Sequence, residues 1–216
     1  MNPFLLVLSA PSGGGKSTIA QRLLQGRDDV GYSVSATTRP RRPTEVDGRD
    51  YHFVSREEFQ RRLAAGEFVE WAEYGGELYG TLKSELEKIF ADGYHAVLDI
   101  EIEGARQVKQ HYPDSVRIFI LPPTGTALIE RLAGRNTEPP RKVRARVERA
   151  GAELAAAGEY DYIVVNDDLV TAVERVAAII DAESQRVRRQ KDLAGAIARL
   201  RNEVAQAARE ISTKEG

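Results

Sequence analysis

Residues 4–17 read FLLVLSAPSGGGKS, and this stretch decides the fold. Residues 4–8 form a continuous apolar run, as expected for a strand buried on both faces of a parallel sheet. A glycine-rich turn follows, and a helix is predicted over 16–25, with Gly26 as its stop. The chain therefore begins with a buried strand, a glycine-rich loop and a helix.

The loop at 10–17 fits the nucleotide-binding pattern GxxxxGK[ST], except that Ala10 replaces the first glycine. Its three glycines allow successive backbone N–H groups to point inward at phosphate oxygens, and the helix N-terminus adds partial positive charge. We expect Lys16 to reach the β and γ phosphates and Ser17 to ligate Mg²⁺. An accidental lysine after a glycine turn is the alternative, which the flanking strand and helix disfavour. The loop residues predicted to bind the nucleoside triphosphate are Ser12, Gly13, Gly14, Gly15, Lys16, Ser17 and Thr18.

Strand and helix patterns alternate from residue 91 onward, which predicts a doubly wound, mainly parallel α/β sheet. Strands are predicted at 96–100, 116–121 and 161–165, and helices at 103–112, 126–132, 141–157 and 169–189. The first of these strands carries Asp99 near its end. This position suits a carboxylate that holds Mg²⁺, directly or through water.

Residues 33–90 have a different pattern, which predicts a small β-rich insertion after the first helix. Short strand-like pieces lie at 32–37, 51–54 and 68–71. Ser55 and Glu58 form a capping box that opens one short helix, and Gly66 ends it. A further helix is predicted over 82–91.

The composition limits what else the chain can be. Its 216 residues suit one α/β domain with insertions, and the formal net charge of −2 gives no global reason to bind nucleic acid. The chain has no cysteine, which excludes disulfides and thiolate ligands, and its three histidines are scattered. The apolar N-terminal run is too short to span a bilayer, so no membrane association is expected and the cytosol is the expected compartment.

A second anion-binding segment is predicted in the insertion, where residues 37–43 read TTRPRRP. Three arginines fall within four positions; arginine favours bidentate phosphate recognition, and the prolines stiffen the loop. A basic surface loop explains the same residues equally well. Tyr51 and Tyr79 could donate hydroxyl groups to the same phosphate, although buried tyrosine is equally ordinary.

Taken in order, several segments resemble the guanylate kinase family. The resemblance runs from about residue 4 to residue 185. Its segments are SATTR with Arg42 (from 35), GRDYHFV (48–54), FVEW (68–71), YGT (79–81), LDIEIEG (98–104), FILPP (119–123) and VVNDD (164–168).

The resemblance implies that the enzyme transfers the γ-phosphoryl group of Mg·ATP to GMP, and to dGMP, giving ADP and GDP. It also implies roles for individual residues. Arg39, Arg42, Tyr51 and Tyr79 would hold the phosphate of GMP, and Ser35, Glu70 and Thr81 would bind the guanine. Two lid arginines, Arg135 and Arg146, would close over the phosphates, and Asn166 would lie near the adenine of ATP.

The part assigned to Glu70 also has a chemical basis. Guanine offers N1–H and N2–H as adjacent donors, and one carboxylate can accept both. Adenine presents an acceptor at N1 and has no N2 amine, so it would leave that carboxylate facing a lone pair. Sites of this kind can reject a mismatched analogue by roughly 10⁴-fold or more.

The sequence departs from the family pattern at a few positions. Glu101 stands where aspartate is usual, and the extra methylene leaves open how it would meet the guanine amine or a water on Mg²⁺. Glu103 replaces a frequent glutamine, and residues 138–141 read EPPR where the family tends to be acidic.

The predicted domain spans 1–185, with a core of 1–32, 91–125 and 150–185, a GMP-binding insertion of 33–90 and a helical lid of 126–149, followed by a helical tail of 186–216. The predicted catalytic residues are Lys16, Arg39, Arg135 and Arg146, and no covalent intermediate is expected.

Two alternative functions remain: a P-loop kinase that acts on another phosphorylated acceptor, and a non-catalytic binding module of the same fold. The sequence leaves the oligomeric state open.

Overall fold

The computed structural model describes residues 2–134 and 140–214. Its strands, in chain order, are β1 (Leu5–Ser9), β2 (Val30–Tyr32), β3 (Ser35–Thr37), β4 (His52–Phe53), β5 (Phe68–Tyr74), β6 (Glu77–Leu82), β7 (His95–Asp99), β8 (Val116–Leu121) and β9 (Tyr162–Val165). Its α-helices are α1 (Lys16–Gly26), α2 (Arg56–Ala64), α3 (Lys83–Ala91), α4 (Ile102–His111), α5 (Gly125–Ala133), α6 (Pro140–Leu154), α7 (Leu169–Ser184) and α8 (Leu193–Lys214). Two 3₁₀ turns lie at Ala155–Glu159 and Val187–Arg189.

The predicted doubly wound α/β fold is confirmed. Five strands form a wholly parallel sheet in the order β2-β7-β1-β8-β9. Helices α1 and α7 supply an apolar core on one face, and α3 and α4 supply a second core on the other. All five residues of β1 are buried, because helices cover both faces of this central strand. The carboxyl ends of β1 and β7 therefore meet at one edge, where α/β sheets commonly bind ligands.

The insertion contains a second sheet of four strands in the order β4-β3-β6-β5. Helix α2 packs on this sheet through Phe59, whose ring stacks on Phe68 at a centroid separation of 4.3 Å. Ser55 caps α2 as predicted, accepting a hydrogen bond from the Glu58 backbone, but the Glu58 carboxylate pairs with Arg61 and Arg62 instead of completing the capping box.

Two sequence predictions in the insertion were wrong. The predicted single strand over 32–37 is two strands in different sheets: Tyr32 ends β2 of the parallel sheet, and Ser35 begins β3 of the insertion. The chain changes sheets at Ser33 and Val34, so the strand-like pattern of 32–37 is divided between the two sheets. Strand β6 was not predicted at all, although it carries both Tyr79 and Thr81.

The predicted lid of 126–149 falls on α5 and the first part of α6, and these two helices share a small apolar core of Leu128, Leu132 and Ala150. Arg135 lies outside the described residues. Helix α7 ends at Ser184, earlier than the predicted 189, because the chain turns back there and buries Arg189 against the Glu183 carboxylate, 3.2 Å away. Among the residues described, no helix has the length and apolar character needed to cross a membrane.

Candidate active site

The loop between β1 and α1 has the geometry of an anion cradle. Gly13 and Gly15 have φ angles of +82° and +93°, in the left-handed region that glycine adopts without strain. Gly15 is the N-cap of α1 and offers no side-chain cap, so the first N–H groups of the helix are left for a ligand. The loop lines a cavity of about 420 Å³.

Lys16 extends from this loop toward two acids at the carboxyl end of β7. Its Nζ lies 3.2 Å from Asp99 Oδ1 and 2.8 Å from Glu101 Oε1. Burial by itself lowers the pKa of Lys16, but the two carboxylates outweigh it and hold that pKa above its ordinary value. The lysine therefore stays charged while its ammonium turns toward protein carboxylates.

A third acid reaches the loop from the last turn of α6, just beyond the predicted lid of 126–149. Oε2 of Glu153, in the last turn of α6, accepts a hydrogen bond from the backbone N–H of Ser12 at 2.7 Å. Burial raises the pKa of Glu153, and this bond opposes the rise. The sequence interpretation missed Glu153, which reads there as one of several acids on a solvated helix.

Asn166 lies behind the loop and is buried. Its Nδ2 donates to the carbonyl oxygen of Gly14 at 2.9 Å, and a Cβ at Gly15 would overlap the same amide nitrogen. Asn166 therefore braces the loop backbone, while its contact with adenine stays a prediction. Arg131, also not singled out from the sequence, lines the loop cavity and donates to the Asn166 carbonyl at 3.0 Å.

A second cavity, of about 280 Å³, lies beside the first and is formed between the insertion and the end of β7. Its lining includes five residues predicted for GMP, together with Asp99: Ser35, Tyr51, Glu70, Tyr79 and Glu101. Thr81 is fully buried behind this lining. Glu101 lines both cavities, so the two predicted nucleotide sites are adjacent.

Glu70 is buried, with only 5% of its surface exposed, at the base of the second cavity. Thr81 Oγ1 donates to its Oε1 at 2.7 Å. Burial raises the pKa of Glu70, and the hydrogen bonds from Thr81 lower it. A buried carboxylate with unused acceptor capacity can accept hydrogen bonds from a ligand.

The predicted phosphate-binding arginines are not equivalent in the structure. Arg39 lies with its guanidinium carbon 5.4 Å from the centre of the Tyr51 ring, and its Nη2 is 2.8 Å from Glu45 Oε1. The Arg42 side chain is mostly exposed, and its Nη1 lies 3.9 Å from Glu45 Oε1. Neither arginine lines the second cavity, so the two differ in exposure and in their contacts with the tyrosines. Glu45, which the sequence interpretation also missed, therefore holds Arg39 beside the tyrosines and partly neutralises it.

Tyr74, at the tip of the β5–β6 hairpin, lines both cavities. The guanidinium carbon of Arg149, on α6, lies 4.8 Å from the centre of its ring, at a distance typical of a cation–π contact. Arg146, one of the predicted lid arginines, lines the loop cavity. The insertion and the lid segment thus touch above the boundary between the two cavities.

Ser17 and Asp99, the two residues predicted to hold Mg²⁺, both offer oxygen atoms of the kind that this ion prefers. Asp99 Oδ1 is buried and has an ion pair with Lys16 but no directed hydrogen bond, and Ser17 is exposed in the loop cavity. Mg²⁺ prefers oxygen ligands, keeps several waters, and is commonly held by one or two side chains plus phosphate oxygens. Within 2–134 and 140–214, no cluster of three or more His, Cys, Asp or Glu could hold a metal by itself.

The parallel sheet, the glycine-rich loop before α1 and the lysine at its end define a P-loop nucleotide-binding protein. Comparison with known proteins narrows this class. The family model described as guanylate kinase matches residues 2–183. The chain belongs to the guanylate kinase family.

Individual relatives agree with this assignment. The chain is 48% identical over 182 residues to a guanylate kinase of Symbiobacterium thermophilum, covering 84% of this chain and 86% of the relative. It is 46% identical over 188 residues to a guanylate kinase of Thermotoga maritima, covering 87% and 91%. The crystal structure of guanylate kinase from Anaplasma phagocytophilum matches with a TM-score of 0.73 at 35% identity, covering 89% of this chain and 92% of that one.

Proposed function

We propose that the two adjacent cavities hold the two substrates of a guanylate kinase reaction, in which the γ-phosphoryl group of ATP passes to GMP and yields ADP and GDP. ATP would place its phosphates in the loop formed by 12–18, and GMP would occupy the insertion cavity. The observation that carries the proposal is the position of the buried Glu70 carboxylate, which is 5% exposed and lies in a cavity adjoining the loop cavity.

Phosphoryl transfer mainly requires positioning and stabilisation of charge, and the two cavities are arranged for both. The phosphate of GMP would meet Arg39, Tyr51 and Tyr79, which lie close together: the two tyrosine rings are 6.0 Å apart between centroids. Arg42 would have to move inward to join them. One oxygen of this phosphate then attacks the γ phosphorus in line with the bond to ADP.

Lys16 would leave its two carboxylates and turn to the phosphates of ATP when they enter the loop. The negative charge of the transferring group would be shared by Lys16 and Arg39 together with the lid arginines Arg135 and Arg146. Ser17 and Asp99 would hold Mg²⁺, which supplies positive charge to the β and γ phosphate oxygens when it is bound. A GMP phosphate is already ionised near neutral pH, so the protein needs no general base.

Guanine recognition would depend on Glu70. Its Oε1 already accepts from Thr81, and the remaining acceptor capacity of the carboxylate would take N1–H and N2–H of guanine. Ser35 and Glu101, which line the same cavity, would complete the contacts to the base. In this scheme the insertion of 33–90 would hold GMP, and the lid of 126–149 would close over the phosphates of both ATP and GMP.

One coupled assay tests the proposal. ADP release is measured with GMP, AMP, CMP and UMP as acceptors, and we expect GMP to be preferred by at least 10³-fold in kcat/KM. Lys16→Met should lower kcat with GMP by about 10²- to 10³-fold, whereas Lys88→Met, a change of an exposed lysine paired with Glu85, should not. Preference for another monophosphate would indicate a different P-loop kinase, and absence of ADP release would indicate a binding module.

A further inference from the structure

The β5 edge of the insertion sheet is paired with a helix of the core instead of another strand. Oε1 of Gln107, on α4, accepts from the Trp71 backbone N–H at 3.0 Å, and Nε2 donates to the Trp71 carbonyl oxygen at 2.8 Å. The side-chain amide thus satisfies both backbone groups of Trp71, as the next strand of a sheet would. The residue held in this way is the immediate neighbour of Glu70.

The same stretch of β5 contains an irregularity that sets the direction of Glu70. Phe68 pairs with Leu82 and Glu70 with Thr81, so β5 has one extra residue, Val69, at a β-bulge. The side chain of Phe68 packs in the core of the insertion, while Val69 packs in the core beneath α4. Glu70 follows directly after Val69, the residue through which β5 packs into the core beneath α4.

Helix α4 also limits the space around the Glu70 carboxylate. A Cβ at Gly104 would overlap Glu70 Oε2 and lie 3.1 Å from the carboxyl carbon. Gly104 and Gln107 are three residues apart and therefore share one face of the helix. One helix face thus holds the strand backbone beside the carboxylate and leaves room for the carboxylate itself.

We propose that Gln107 is a positioning residue for base selection: its two hydrogen bonds to Trp71 fix the strand so that Glu70 faces guanine, and Gly104 provides the space that this position requires. The inference rests on the proposed role of Glu70 in reading the base. Gln107 does not line the GMP cavity, so its influence on substrate passes through β5.

The test compares Gln107→Ala with Gln110→Ala, a matched change on the exposed side of the same helix. We expect Gln107→Ala to raise KM for GMP about tenfold while KM for ATP changes less than about twofold, because two hydrogen bonds to a single strand are lost. The ratio of kcat/KM for GMP over AMP should fall by a similar factor. Gln110→Ala should leave all three quantities unchanged.

Two further variants keep the outcome decisive. Gly104→Ala leaves Gln107 in place and crowds the carboxylate, so it should give the same selective loss and tests the part assigned to Gly104. If Gln107→Ala does not fold, Gln107→Glu takes its place, because it can accept from the Trp71 N–H but loses the donor to the Trp71 carbonyl; unchanged base preference in that variant would contradict the role of Gln107. Glu70→Gln, measured in parallel, tests the underlying role. If Glu70→Gln leaves base preference intact, the role of Glu70 is wrong. If Glu70→Gln abolishes that preference but Gln107→Ala behaves like Gln110→Ala, the proposed role of Gln107 is wrong. It is also wrong if Gln107→Ala raises KM for GMP and KM for ATP equally.

Discussion

The carboxylate of Glu153 accepts the backbone N–H of Ser12 at 2.7 Å, so an acid from α6 occupies a donor of the loop that should bind ATP. Lys16 is engaged in a similar way by Asp99 and Glu101. The ammonium of Lys16 and one N–H donor of this loop are therefore already paired with carboxylates of the protein. To bind in the loop, the phosphate oxygens of ATP must either displace these carboxylates or lie close to them, where the like charges repel each other.

We predict that Glu153→Gln binds ATP more tightly than the unmodified chain, by about three- to tenfold. The amide oxygen can still accept from Ser12, but the negative charge that repels the phosphates is gone. Titration calorimetry with a non-hydrolysable ATP analogue measures the change. Glu148→Gln is the control, because Glu148 lies on the same helix and pairs with Arg144 at the surface. Weaker binding by Glu153→Gln would mean that its charge supports the loop.

A second prediction concerns the pH dependence of stability. Burial raises the pKa of Glu70 in the folded chain, so the folded state binds this proton more tightly than the unfolded state does. The ionised carboxylate therefore costs stability at neutral pH. That cost disappears as the pH falls through the raised pKa toward the ordinary carboxyl value of about 4.3.

Glu70→Gln should accordingly be more stable than the unmodified chain at pH 8, and this advantage should shrink at pH 5. Urea unfolding of both proteins at the two pH values measures the difference in the free energy of unfolding. The expected sign follows from removing a buried charge while keeping an acceptor for Thr81. An advantage that is equal at the two pH values, or larger at pH 5, would contradict it.

A third prediction concerns the brace behind the loop. Asn166→Ala removes the donor to the Gly14 carbonyl and leaves a buried acceptor unsatisfied, at a cost of about 1–3 kcal/mol. We expect lower stability and a rise of about tenfold in KM for ATP, with KM for GMP nearly unchanged. Asn202→Ala, an exposed position on α8, is the control. Equal effects on both substrates would show that Asn166 has no specific relation to the loop.

The parts of the fold set by local pattern could be predicted from the sequence. Strand β1, the glycine loop and α1 follow from one continuous stretch, because apolar periodicity and glycine content act over neighbouring residues. The residues of the GMP cavity could be predicted only through the family resemblance. Glu70 taken alone reads as one acid among many.

Long-range contacts could not be predicted in this way. Glu153 lies 141 residues from Ser12, and Gln107 lies 36 residues from Trp71. Each reads as an ordinary polar residue on a helix, because nothing in its own neighbourhood encodes the partner. The pairing of Arg39 with Glu45 is nearer in sequence, yet the arginine-rich pattern gave no sign that Arg39 and Arg42 differ in exposure.

The most direct test of the whole account is a crystal structure of the chain with GMP bound. We predict that guanine N1 and N2 lie within hydrogen-bond distance of the Glu70 carboxylate and that the phosphate lies beside Arg39, Tyr51 and Tyr79. GMP bound elsewhere, or bound in this cavity with its base turned away from Glu70, would contradict the account.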